Sequence, residues 1–274
     1  MAISSTTDAR FEIETHKRAQ EGPVYNRVPQ VTWDFWVIKL LAVTVGETAA
    51  DFINQSLGLG LSMTSLLMSG FLVLALIWQF RQKRYVPAVY WTAVVLISVV
   101  GTLISDNLVD NLGYALSTTT TVFGIALAAV FAGWYALEKT LSIHTIYTFR
   151  REAFYWLAIL FTFALGTSAG DQLSEGLQLG YLLSAFIYAG VIAAIAVVFF
   201  AGKMNGILAF WLCYILTRPA GASIGDYLSQ PVPDGGLGLG TVITSLIFLA
   251  AIVVTVVYMS VSHDGDELRD DTAA

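Results

Sequence analysis

The sequence predicts an all-α integral membrane protein of eight transmembrane helices, built as four tandem helical hairpins in parallel orientation. Three observations carry that expectation. The 274-residue chain is 56% hydrophobic and only 12% charged, which is a membrane composition. Its apolar residues fall into eight runs of about 20, the length that spans a bilayer. One pattern, a Gly, three residues, a small residue and an Asp, occurs four times along the chain, and self-similarity at a fixed period marks a repeat protein.

Residues 1–30 mix Asp8, Glu12, Glu14 and Glu21 with Arg10, Lys17, Arg18 and Arg27. A secretory signal needs a basic start followed directly by an apolar stretch, so this segment reads as a solvated cytoplasmic tail. The apolar runs follow at 31–53, 60–80, 87–107, 114–137, 152–172, 179–201, 205–228 and 238–261. In lipid every backbone polar group must be paired internally, and runs of this length without strict alternation are helices. Residues 262–274 read as an acidic, solvated tail. The lone Cys213 excludes a disulfide framework within the chain.

Twelve of the fourteen Lys and Arg residues fall in the N-terminal tail, the even-numbered connections and the C-terminal tail. The positive-inside rule then places both termini in the cytoplasm. The seven Trp residues fall near the cytoplasmic ends of the helices, where interface anchoring accounts for Trp33, Trp78 and Trp134.

The repeated pattern reads Gly46 to Asp51, Gly101 to Asp106, Gly166 to Asp171 and Gly221 to Asp226. A Trp stands ten residues before each Gly: Trp36, Trp91, Trp156 and Trp211. Four residues after each Asp stand Gln55, Asp110, Glu175 and Gln230. Gly-to-Gly spacings of 55, 65 and 55 residues define units of about 31–83, 86–139, 151–203 and 205–261. Each unit is an outgoing helix, a Gly-containing turn and a plainer returning helix. Two helices per unit give all units one orientation, related by axes along the membrane normal. The extra residues around 141–149 suggest two halves of two units. The outgoing helices are expected inside the bundle.

This pattern resembles a bacterial family of uncharacterised membrane proteins with four tandem repeats, each of two transmembrane segments and a characteristic tryptophan. The likeness rests on the four in-register Trp residues and the Gly and Asp positions, and spans residues 30–261. The resemblance supplies an architecture only and brings no activity with it; the location expected is the bacterial inner membrane.

Positions four apart share a helix face, so each outgoing helix carries a polar stripe. The stripes are Glu47–Asp51–Gln55, Thr102–Asp106–Asp110, Thr167–Asp171–Glu175 and Ala222–Asp226–Gln230. An ionisable side chain at membrane depth is a functional hypothesis by default. Carboxylates with nearby hydroxyls suit protons and hard cations. Glu47, Asp51, Asp106, Asp171 and Asp226 are therefore the candidate metal ligands, and Asp110 and Glu175 extend the pathway. Clustered carboxylates in a dry region also repel one another, which couples cation binding to protons.

Gly46, Gly101, Gly166 and Gly221 read as packing positions, because small residues four apart let membrane helices approach closely. Lys39 and Arg218 are the candidate counter-charges. Lys39 is expected to snorkel to the interface, and Arg218 to take a buried partner, Glu47 or Asp171. Trp36, Trp91, Trp156 and Trp211 are gate or anchor residues.

Phosphate loops, zinc-protease motifs and nucleophile elbows do not occur, so an enzyme is not expected. Neither a cofactor nor nucleic acid is expected as a partner; the lipid bilayer, a small cation and protons are. The function that follows is export or transport of a small hard cation. The alternative is a membrane scaffold or sensor whose acids only tie helices together.

Overall fold

The computed structural model describes residues 25–56 and 58–270. Eight long helices follow in order: α1 (Trp33–Asp51), α2 (Leu61–Phe80), α3 (Pro87–Asp106), α4 (Leu116–Glu138), α5 (Phe149–Asp171), α6 (Tyr181–Phe200), α7 (Gly206–Ser229) and α8 (Thr241–Asp270). Their bounds lie within a few residues of the apolar runs, except that α8 runs on into the expected C-terminal tail. Local chemistry fixes several starts. Pro87 opens α3, where its missing N–H costs nothing. The Thr148 side chain accepts from the Arg151 N–H at the start of α5, and Asn205 does the same for Ile207 and Leu208 of α7. Gly60, Gly180 and Gly240 precede α2, α6 and α8 with φ of 72°, 76° and 79°, backbone that suits glycine.

Seven of the eight helices are long and apolar enough to cross a membrane. Helix α1 is not one of the seven; it carries Asp34, Lys39, Glu47 and Asp51.

The outgoing helices α1, α3, α5 and α7 close into a ring, each packed against the next and α7 against α1. The returning helices sit outside in a displaced arrangement. Helix α2 packs on α3, α4 on α5, α6 on α7 and α8 back on α1. Each hairpin thus hands its second helix to the following repeat, and the last repeat closes the circle on the first. Spans α3, α5 and α7 are buried over 61% to 72% of their residues, and the outer spans over only 6% to 22%.

The glycines hold the ring together. A methyl group added at Gly46 would meet Ser98 Cβ at 2.3 Å, one at Gly101 Phe163 Cβ at 2.7 Å, one at Gly166 Arg218 Cβ at 2.5 Å, and one at Gly221 Val43 Cγ1 at 2.5 Å. Val43, Ser98, Phe163 and Arg218 all stand three residues before the Gly of their own repeat. Each Gly is therefore a notch that receives the same position of the next repeat, four times round. This is the close approach that small residues allow between membrane helices.

Three features differ from the sequence expectation. Helices α1, α3 and α5 each end in a turn of π-helix, at Phe52–Ser56, Asn107–Asn111 and Gln172–Gly176. Helix α7 ends instead at Ser229, with Gln230 extended before Pro231; a proline biases its preceding residue out of helix. Residues 25–28, expected within the solvated tail, are docked. The Arg27 N–H donates to Ile146 O, Asn26 O accepts from the Tyr85 N–H, and Val28 is buried. The tail residues 1–24 and 271–274 lie outside the described residues. This N-terminal segment ties the 81–86 connection to the 139–148 connection.

Candidate functional site

Four residues per step is close to one helical turn, about 6 Å of rise. Stepping each inner helix by four from the residue before its Trp gives successive layers along the ring. The end carrying the Trp residues and most of the Lys and Arg is here the basic end, and the Asp end the acidic end.

The first layer holds Phe35, Tyr90, Tyr155 and Phe210, all buried. Each touches the Trp of the next repeat: Phe35 with Trp91 at 5.7 Å between ring centres, Tyr90 with Trp156 at 5.4 Å, Tyr155 with Trp211 at 6.2 Å, and Phe210 with Trp36 at 5.8 Å. The rings form an unbroken aromatic floor. Trp91, Trp156 and Trp211 are nearly fully buried within it. Trp134, expected at the interface, is also buried, stacked on Phe154 and edge-on to Trp211. Burial against α5 and α7 accounts for it better than headgroup anchoring.

The second layer holds Lys39, Val94, Ile159 and Tyr214, each fully buried. Lys39 does not snorkel. Its Nζ donates to Tyr214 O at 2.8 Å and to Thr217 Oγ1, and stands 4.0 Å from the centre of the Tyr214 ring. A carbonyl, a hydroxyl and a ring face draw the ammonium inward.

The third layer is Val43, Ser98, Phe163 and Arg218, seated in the glycine notches. The fourth is Glu47, Thr102, Thr167 and Ala222. Arg218, with no exposed surface, reaches from the fourth repeat to this position in all three others. Its Nη2 shares its two hydrogens among Glu47 Oε2 at 2.9 Å, Thr167 Oγ1 at 2.7 Å and Thr102 Oγ1. The Thr102 hydroxyl also donates to Glu47 Oε2 at 3.3 Å. One guanidinium thus joins four helices, and Ala222 lacks the side chain that would crowd it. Arg218 Nε and Nη1 have no partner.

The fifth layer is Asp51, Asp106, Asp171 and Asp226. The first three are half-buried and Asp226 is 6% exposed. All four lie within electrostatic reach of Glu47, and Asp171 also within reach of Arg218. Gln230 Nε2 donates to Asp51 Oδ2 at 3.4 Å. Among the described residues, no protein donor hydrogen-bonds the Asp106, Asp171 or Asp226 carboxylates. Asp110 and Glu175 are exposed beyond them, Glu175 accepting from Tyr181 Oη at 3.0 Å.

The family model described as Repeat of Unknown Function (DUF347) matches residues 35–85, 89–140, 154–204 and 209–264. The chain belongs to this family. No curated protein and no solved structure matches it. The four DUF347 copies coincide with the four hairpins, so the ring is built from four copies of one repeated unit.

Among the described residues, no three His, Cys, Asp or Glu side chains are placed to hold one metal ion. Glu47, Asp51, Asp106, Asp171 and Asp226 are thus near one another without forming a closed ligand set. Glu47 turns to Arg218, and three of the Asp carboxylates are left open.

Two features of the ring lie outside the sequence expectations: the aromatic residue before each Trp and the role of Tyr214. The first has a visible signal, since Phe-Trp, Tyr-Trp, Tyr-Trp and Phe-Trp stand in register. At the basic end, Glu152 in the first turn of α5 is fully buried and accepts from Arg27 Nη1 at 2.7 Å and from Gln79 Nε2 at 3.0 Å. Burial raises the Tyr85 phenol above its ordinary range, so it stays a neutral hydroxyl, accepting from Trp91 Nε1 at 3.1 Å.

Proposed function

We propose that the protein transports a small hard cation across a bacterial inner membrane, in exchange with protons, through the axis of the inner ring. In this reading all eight helices span the bilayer, with the basic end and both termini in the cytoplasm. The observation that carries it is the set of Asp106, Asp171 and Asp226 carboxylates without donors, gathered from three repeats around one axis. Asp226 is buried, and a buried carboxylate with a purely structural role would hold a partner, because a buried unpaired charge is costly. Open carboxylates near one another bind protons or a cation and release one for the other. Arg218 and Glu47 close the bottom of this vestibule, and the aromatic floor seals the basic end.

The test is flux in proteoliposomes across Na⁺, Mg²⁺, Ca²⁺ and Mn²⁺ at several pH values. Uptake of one cation by the wild type, lost in Asp106→Asn and Asp171→Asn, is the expected result. Uptake that survives replacement of all four repeat aspartates by asparagine overturns the pathway.

A second reading is favoured by Arg218, whose bonds to Glu47, Thr102 and Thr167 tie the repeats together. It makes the ring a membrane scaffold with a polar clasp. A folded wild type that moves no cation in the same assay supports it.

A further inference from the structure

The aromatic floor is closed to ions but not uniformly apolar. Phe35 and Phe210 occupy two of its four repeat positions, and Tyr90 and Tyr155 the other two. Filling space needs only Phe there, and a buried hydroxyl is costly unless bonded. The two hydroxyls are paired with each other at 2.5 Å, fully buried. One layer above, Tyr214 carries a buried hydroxyl with no partner, within electrostatic reach of Tyr90 and Tyr155. A buried unsatisfied polar group in a packed core calls for an explanation.

Lys39 stands beside Tyr214 in the same layer. It donates to two neutral oxygens, so its third ammonium hydrogen has no acceptor among the described residues. On the other side of the floor, the Tyr85 ring lies 5.6 Å from that of Tyr90 and is half-buried at the basic end. Groups that can accept and give protons therefore lie between the two ends of the ring: Lys39 beside Tyr214, Tyr155 hydrogen-bonded to Tyr90, and Tyr85 with its ring near Tyr90. Glu47 and Arg218 face this line from above, and Glu152 with Arg27 from below.

We infer that this line is the inner half of a proton path, carrying protons between the carboxylates and the basic end through a floor that stops other ions. The inference rests on the transport reading and adds a route to it. The Tyr155 and Tyr90 hydroxyls pass a proton along their bond, and the Tyr214 hydroxyl, without a partner at rest, turns to take one from Lys39 and give its own to the pair. Lys39 gives up one proton and accepts another, so nothing but protons moves. The fixed Arg218 charge beside Glu47 opposes entry of a metal cation into the same line.

The experiment uses the full chain in proteoliposomes with an internal pH-sensitive dye and the transported cation of the panel above. Tyr214→Phe removes a hydroxyl that bonds to nothing, so its melting temperature should equal or exceed that of the wild type. Its proton flux should fall by roughly a hundredfold, the scale of a lost proton-transfer group. Tyr90→Phe with Tyr155→Phe should lose flux likewise, with cation binding at equilibrium unchanged in all variants. Tyr188→Phe, whose hydroxyl donates to Ala169 O on the outer face, should keep wild-type flux.

Wild-type proton flux in both Tyr214→Phe and the double variant overturns the path and leaves the transport reading standing. A wild type that moves the cation without protons overturns both the path and the exchange with protons, and leaves cation transport alone. A wild type that moves neither overturns both.

Discussion

On the basic side of Arg218 the ring is filled by aromatic side chains that touch in a closed circle. On its acidic side stand four aspartates from the same four helices, three half-buried and Asp226 buried; among the described residues Asp106, Asp171 and Asp226 have no hydrogen-bond donor. Both halves belong to one repeated unit in one register, and both are held by the same glycine notches. What divides them is a pair of departures from the repeat: Glu47 where other copies have Thr or Ala, and Arg218 where they have Val, Ser or Phe. The repeat builds the tube, and its exceptions decide where it is closed.

Removing the divider should have the largest effect. Arg218→Met leaves Glu47 buried without its partner, and breaking such a pair costs about 3–5 kcal/mol. Adding Glu47→Gln should restore much of the loss, measured by thermal unfolding in detergent. If the double variant is no more stable than the single, the two halves are not divided by this pair.

Gly101→Ala comes next. Its methyl would stand 2.7 Å from Phe163 Cβ and 3.1 Å from Ala164 N, where little can move, so roughly 1–3 kcal/mol should be lost. Gly190→Ala on the outer helix α6 meets nothing within 4 Å and should be neutral or gain up to about 1 kcal/mol of helix propensity. Equal effects at the two sites would deny the notch its role.

Asp171→Asn should leave stability unchanged or slightly higher, because no donor is lost, while cation flux disappears. An equal change on the closed side, such as Ser98→Ala, should spare flux. Smallest of all, Arg150→Ala should leave the melting temperature unmoved. Arg150 is 62% exposed, and Glu138 keeps Arg151.

Much of the architecture is legible in the amino-acid sequence alone. The four in-register Gly, Asp and Trp positions mark the repeats, and hydropathy places the helices to within a few residues, because lipid enforces both length and composition. The partner of Arg218 is one of the two carboxylates expected. The transfer of each returning helix to the next repeat is not readable, since a lipid-facing surface such as that of α6 is apolar all round and does not name its neighbour. Lys39 misleads because snorkelling presumes an aqueous exit, and Tyr214 with Thr217 offers a nearer one inward. Trp134 misleads because position along a helix says depth, not which face is covered. The docked segment at 25–28 is hidden because its bonds are mostly backbone or to distant connections, such as Asn26 Nδ2 to Ile143 O.

The central claim, that the aspartates of different repeats act as one open, exchangeable carboxylate group, is tested most directly by proton release. Purified full-length protein in weakly buffered detergent solution near neutral pH would be titrated with each cation of the panel while pH is recorded. The account predicts protons released on adding the transported cation, with none released by the variant carrying Asn at 51, 106, 171 and 226. No release from a folded wild type with any of the cations, or equal release from the fourfold variant, would contradict it.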